Sequence, residues 1–312
     1  MSELVFVSGY GKTGTSSMVG MLNTSPDCCI LYEAYLCRDG GMGSRGLQLV
    51  QAFPELEHAK TARSLSECYT LAAHEFWRLG YSYKFVGDKI LSPSLSEKHF
   101  REAKTLPLIY MIRDLRTWLC KNIVVKDYNT EGGLATKAAA YVQAYINTFH
   151  CQRCLRVSLE AFLMDNINCM QKAFAFLGLT APEESRRWWR SVGSYPSGSP
   201  KAAVNWWAGH DSSKLKPTKL DTTSRLRNHK FWDELLPIFD KYYCCPDKRW
   251  PRSHLDADLA AISTIASRYP NLAIEDLYEE VQSVSFGSGL LGALGHRSSN
   301  PHAKPFRIGR HN

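Results

Sequence analysis

Between residues 9 and 16 the chain reads Gly9-Tyr10-Gly11-Lys12-Thr13-Gly14-Thr15-Ser16, a cluster of small residues, hydroxyls and one cation. Such a loop between a strand and a helix can cradle an anion, because its backbone N–H groups and the helix N-terminus converge on one point. In the GxxxxGK[ST] loop of nucleotide triphosphatases, the lysine directly follows the second glycine and reaches the β- and γ-phosphates, while the next hydroxyl ligates magnesium. Here Thr15 stands in that place, and the loop lysine is Lys12, two residues before Gly14. The loop suits a phosphate-like group with its cation elsewhere; the plainer reading is a glycine-rich turn with a solvated lysine. A second candidate is Arg113, at the end of the apolar run 106–112 (LPLIYMI). A strand-end arginine can hold an anion; its alternative is a surface ion pair with Asp114 or a neighbour.

These residues need a scaffold, and the pattern of the chain predicts one. Short apolar runs at 3–8, 28–32, 82–87, 106–112 and 155–159 read as strands. Helical spacing at 15–23, 65–79, 134–150 and through FLMDNINCMQKAFAFLGL to Gly178 separates them. That alternation predicts an α/β fold in three layers, P-loop NTPase-like, with a central mostly parallel sheet flanked by helices. After Gly178 the character changes. Residues 193–224 are rich in Ser, Gly, Pro and Lys and read as a long basic loop near the active site, followed by helices within 225–243 and 254–284. Residues 1–285 are expected to form a single domain, and 286–312 a disordered basic tail.

Composition narrows the classes. The chain has 312 residues, 44% hydrophobic and 22% charged, with a net charge of +8. A chain of this length can bury about 75% of its unfolded surface, which excludes a disordered or small disulfide-stapled protein. No run is long and apolar enough for a membrane helix, and the N-terminus lacks a secretory pattern. Ten scattered cysteines read as reduced thiols in a cytoplasmic setting, and the single CxxC, Cys151 and Cys154, has no partner pair, so no metal is expected. The basic balance invites a nucleic-acid reading, but no helix-turn-helix, RNA-binding sheet motif or zinc spacing supports it. Arg297, Lys304, Arg307 and Arg310 of the tail carry half of the excess charge.

Beyond these readings, GYGKTGTSSMVGML (9–22) resembles the 5′-phosphosulfate loop of sulfotransferases, which use phosphoadenosine phosphosulfate (PAPS) as donor. LIYMIRDLRTWLCKNI (108–123) is similar to that family's 3′-phosphate segment, and LRVSLEAFL with AFAFLGL to its strand, Glu, helix and Phe-Leu-Gly ending. Together the matches span about residues 4–180. The resemblance implies that Lys12 contacts the sulfuryl group and bridging oxygen, that the 5′-phosphate lies over Thr13, Gly14, Thr15 and Ser16, and that Arg113 holds the 3′-phosphate. Where the family has a Ser eight residues beyond this Arg, the chain has Lys121, an acceptable phosphate partner; Leu115 replaces the family's Pro.

The cytosolic members place a His two residues after a Lys, but here the residue two after Lys89 is Leu91. Tyrosylprotein members use a Glu nineteen residues beyond the loop glycine, and Gly14 plus nineteen is Glu33. The resemblance therefore implies Glu33 as general base with Lys89 stabilising charge opposite it. The alternatives are an exposed loop carboxylate and a loop cation. A flexible basic segment late in the chain covers the donor in the family, which makes Lys201 and Lys214 candidates. Trp188, Trp189, Trp206 and Trp207 could line an acceptor pocket or simply pack, and His74 reads as a partly buried packing residue. The implied activity is sulfuryl transfer from PAPS to a hydroxyl, or secondarily an amine, of a small molecule, with no nucleic-acid or membrane partner and a homodimer left open. The alternatives are a P-loop small-molecule kinase and a non-enzymatic basic nucleic-acid-binding protein.

Overall fold

A computed structural model describes residues 2–36, 44–62, 64–92, 102, 105–124, 133–191, 195–203, 226–270 and 272. The stretch 204–225 of the expected basic loop and the expected tail lie outside them. In chain order the elements are β1 (Glu3–Gly9), α1 (Thr15–Leu22), β2 (Cys28–Tyr32), α2 (Ser44–Ala52), α3 (Leu65–Arg78), β3 (Phe85–Leu91), β4 (Leu108–Ile112), α4 (Leu115–Val124), α5 (Gly133–Asn147), β5 (Cys154–Ser158), α6 (Leu159–Met164), α7 (Asn166–Phe176), α8 (Lys230–Tyr243) and α9 (Arg252–Arg268), with short helical turns between some of them.

The five strands form one sheet in the order β2-β3-β1-β4-β5, every neighbouring pair parallel. Strands buried on both faces must be apolar almost throughout, which is why these segments read as continuous runs and not as alternations. One face packs Val5, Val7, Ile30, Ile109 and Met111 against Met18 and Val19 of α1 and Phe174 of α7. The other packs Phe6, Leu31, Val86 and Tyr110 against α3, α5, α8 and α9. The result is the predicted three-layer α/β architecture. Among the described residues, no helix is long and apolar enough to cross a membrane.

Three boundaries differ from the sequence reading, each for a local reason. The third strand is not 82–87 but Phe85–Leu91, so Asp88 and Lys89, polar residues that argue for a loop, lie inside a strand paired on both sides. The helix running to Gly178 is two helices: the Asp165 side chain accepts a hydrogen bond from the Asn168 N–H and starts a new helix at Asn166. The helix expected from 225 begins at Lys230, where His229 Nδ1 accepts from the Phe231 N–H.

The connection from β1 leads past β3 to β2, whereas that from β4 leads to β5 at the opposite edge. A crevice therefore opens at the carboxyl ends of β1 and β4, the usual ligand position in open parallel sheets. Close pairing at the centre of the sheet also fixes Gly87, where an added Cβ would sit 1.6 Å from the Val5 carbonyl oxygen. Gly87→Ala is expected to lower stability by about 3 kcal/mol, as overpacking against backbone does. Denaturant unfolding measures it, and an unchanged midpoint would contradict the tight β1–β3 approach.

Candidate active site

The loop after β1 is built on glycines that nothing else can replace. Gly9 has φ +148°, and a Cβ there would lie 2.4 Å from the Met111 carbonyl oxygen. Gly14 caps α1 in the left-handed region at φ +91°, and Lys12 is left-handed as well, at +70°. Thr13 is fully buried, and its Oγ1 donates to the Tyr10 carbonyl at 2.7 Å. Its hydroxyl is thus committed to shaping the loop and is not presented outward as a ligand donor. Trp118 Nε1 of α4 donates to the Gly11 carbonyl at 2.9 Å, and its ring stacks on Tyr141 at 4.0 Å, tying the loop to the layer behind it. Lys12 stands exposed on the loop.

Lys89 reaches the same place from the neighbouring strand. It is 5% exposed, and its Nζ lies 2.6 Å from Glu33 Oε1, 3.1 Å from Ser16 Oγ and 5.0 Å from the centre of the Tyr32 ring. Burial pushes the ammonium below its ordinary pKa, and the Glu33 carboxylate opposes that shift. A lysine thus reaches the first turn of α1 from a different strand and not from the position after Gly14. Sequence spacing paired Glu33 with Lys89 only through a resemblance; the fold brings them into direct contact. Glu33 is three-quarters buried, and Lys89 is no loop cation.

Two further residues complete this corner. Arg45 at the start of α2 donates through Nη1 to Glu33 Oε2 at 3.1 Å and to the Tyr32 carbonyl at 3.2 Å. No sequence motif pointed to it. Asp88 has no exposed surface and turns to the other face of the sheet, accepting the Ala34 N–H at 3.2 Å, the Tyr35 N–H at 2.9 Å and the Tyr69 hydroxyl at 2.5 Å. Burial pushes its carboxyl up to about 6, partly offset by these donors.

On the other side of the loop, Arg113 is 8% exposed at the end of β4, so it is not a surface residue. Its Nε donates to Thr117 Oγ1 at 3.0 Å, and its carbonyl accepts the Tyr141 hydroxyl at 2.6 Å. Asp114 is engaged by Arg116, which also holds Asp240 through two nitrogens, at 2.9 and 2.6 Å. Glu160 accepts from the Asp114 N–H and the Thr117 hydroxyl, both at 3.1 Å, and from the Tyr243 hydroxyl at 2.6 Å. The turn is therefore fixed from α6 and α8 at once. Lys121 lies on α4, with its side chain outside the described residues.

Some candidates belong elsewhere. Lys201 is buried at the amino end of β2, where Nζ donates to the carbonyls of Asn23 at 3.0 Å and Ser25 at 2.8 Å, remote from the crevice. It anchors a chain segment and is no donor contact. Trp188 is core, packed with Trp189 against the α1 layer. His74 is not partly buried but exposed, 3.6 Å from Glu75. Lys214, Trp206 and Trp207 lie outside the described residues.

No protein-family model and no curated protein matches the sequence. Solved structures to which the chain is similar include the sulfotransferase domain from the Synechococcus PCC 7002 olefin synthase, at 16% identity over 86% of this chain and 96% of that one, TM-score 0.44. Another is the sulfotransferase domain from the curacin biosynthetic pathway, at 13% identity, 86% and 98% coverage, TM-score 0.43. A third is mouse sulfotransferase SULT7A1 complexed with PAP, at 14% identity, 77% and 85% coverage, TM-score 0.40. All three are sulfotransferases.

Two outcomes follow from the burial described here. Folded Asp88 keeps its proton up to about pH 6, whereas the unfolded carboxyl releases it near 3.8. The folded state then binds more protons in that window, so this stabilisation is complete below it and lost as pH rises through about 6. Melting curves should show a larger advantage of the wild type over Asp88→Asn at about pH 5 than at about pH 7.5, and equal differences would refute the shift. Lys201→Met removes the lysine donor from the Asn23 carbonyl and leaves the Ser25 carbonyl only the Cys28 N–H, and should cost about 1–3 kcal/mol. Calorimetry with adenosine 3′,5′-bisphosphate is expected to give the wild-type affinity for this variant; a large loss would return Lys201 to the donor site.

Proposed function

We propose that this chain is a sulfotransferase that moves a sulfuryl group from PAPS to a hydroxyl, or secondarily an amine, of a small-molecule acceptor. The carrying observation is the position of Lys89, whose ammonium touches both the Glu33 carboxylate and the Ser16 hydroxyl at the start of α1. A base and a cation meet there beside an anion loop. PAPS would supply a sulfuryl group activated by its link to the 5′-phosphate. The N–H groups of Gly14, Thr15 and Ser16 suit that phosphate, and Arg113, on the strand across β1 from Lys89, suits the 3′-phosphate. Lys12 and Lys121 are assigned supporting cationic roles.

In the resting arrangement Glu33 is held by Lys89 and Arg45. When the donor's anionic groups attract Lys89, Glu33 Oε1 becomes available to an acceptor hydroxyl. Glu33 takes the acceptor proton as the acceptor oxygen bonds to sulfur; the sulfur–oxygen bond to the phosphate breaks, and its electron pair leaves with the bisphosphate. Lys89 and Lys12 stabilise the negative charge that grows on the bridging oxygen. Kinase chemistry fits the residues less well. Thr15 occupies the lysine place, and the Ser16 hydroxyl that would ligate magnesium already faces an ammonium. The proposed setting is cytoplasmic, in keeping with free thiols at Cys28, Cys29, Cys68, Cys151, Cys154, Cys169, Cys244 and Cys245.

Titration with adenosine 3′,5′-bisphosphate tests the donor site, and absence of binding by the full chain would sink the proposal. Glu33→Gln is expected to lower turnover by at least ~100-fold in a labelled-sulfate assay while sparing bisphosphate affinity. Undiminished turnover would remove Glu33 from the role of base.

A further inference from the structure

We infer that Asp88 is a positioning residue of this centre, and that its carboxylate sets the turn that presents Glu33 to Lys89. This rests on the sulfotransferase reading only for its catalytic consequence; the geometry stands by itself. Successive residues of a strand face opposite sides of the sheet. Lys89 therefore turns toward α1 and takes the side chain of Glu33, while Asp88 turns toward α3 and takes the backbone of the next two residues, Ala34 and Tyr35. One dipeptide in β3 holds the turn after β2 from both faces.

The turn needs holding. Glu33 has φ +52° and Tyr35 +47°, left-handed conformations that residues other than glycine adopt at a cost and keep only where the surroundings dictate them. A carboxylate without exposed surface is itself unfavourable unless hydrogen bonds replace its water, and here three donors do so. Two of the three are the backbone N–H groups of that turn. A chain selected for stability alone could fill this site with an apolar side chain. The acid is instead spent on the backbone geometry beside the base. Burial raises its carboxyl to about 6, which marks how far the site departs from water.

If Asp88 acts in this way, removing it should free Lys89 from Glu33 over and above the loss of its own attraction for the ammonium. The measurement is acetylation of Lys89 in the full chain by acetic anhydride, followed by peptide mass spectrometry, with buried Lys201 as the internal reference for general loosening. Glu33→Gln removes the carboxylate partner that holds the ammonium charged and should raise Lys89 labelling several-fold. Asp88→Asn should approach that value with Lys201 unchanged, part of the gain coming from the lost charge, and Tyr69→Phe, which keeps that charge but removes a donor that holds the carboxylate against the turn, should move the same way by less. Should Asp88→Asn not fold, Tyr69→Phe decides alone. Wild-type labelling of Lys89 in a folded Asp88→Asn or, failing that, in Tyr69→Phe overturns the inference, as does a Glu33→Gln variant with no gain. In turnover, Asp88→Asn should lower kcat and leave bisphosphate affinity unchanged. Failure of the wild type to bind the bisphosphate would remove the sulfotransferase reading, while the labelling result would still decide the role of Asp88.

Discussion

An ammonium buried at the carboxyl end of a central strand is the constraint around which this crevice is arranged. Lys89 is almost without solvent contact, and an isolated buried charge is too unfavourable to persist. It persists because three groups deliver compensation to one point: Glu33 just past the end of β2, Ser16 from the first turn of α1 and the Tyr32 ring beneath. Each depends on parallel register, since Lys89 pairs with Tyr32 on one side and Val7 on the other. A slip by one residue would turn Lys89 to the α3 face and Asp88 to the α1 face.

The sheet order gives the site its symmetry. β1 lies between β3 and β4, so the phosphate loop that follows it is flanked by Lys89 on one side and Arg113 on the other. Both cations are mostly buried and both are held in place, Lys89 by Glu33 and Ser16 and the Arg113 turn by Glu160, Tyr141 and Thr117. Preorganised cations of this kind act on developing negative charge with little rearrangement. The +8 net charge has no single meaning here. Lys201 is a structural tie at the far end of the sheet, and Arg116 is absorbed by Asp114 and Asp240.

Much of this was legible in the sequence for physical reasons. Fully buried parallel strands must be apolar runs, so β1, β2, β4 and β5 stood out, and a loop of glycines between strand and helix declares itself because only glycine tolerates the backbone at Gly9 and Gly14. β3 was misplaced because Asp88 and Lys89 are charged. A buried charge looks like a loop until its partners are known. The break at Asp165 was missed because a capping acid inside an apolar period resembles an exposed position of one helix.

The sequence by itself determined the three-layer α/β class, the glycine-built turn over Gly9–Ser16 and the candidacy of Arg113, because local rules of burial, turn conformation and spacing act on neighbouring residues. Tertiary structure alone decided that Lys89 meets Glu33 and Ser16 beside the loop, that Arg45 bonds the Glu33 carboxylate while Asp88 accepts the Ala34 and Tyr35 N–H groups, and that Lys201 does not face the crevice. Those outcomes rest on contacts between residues far apart in the chain, and such contacts exist only once parallel register has brought separate strand ends to one edge.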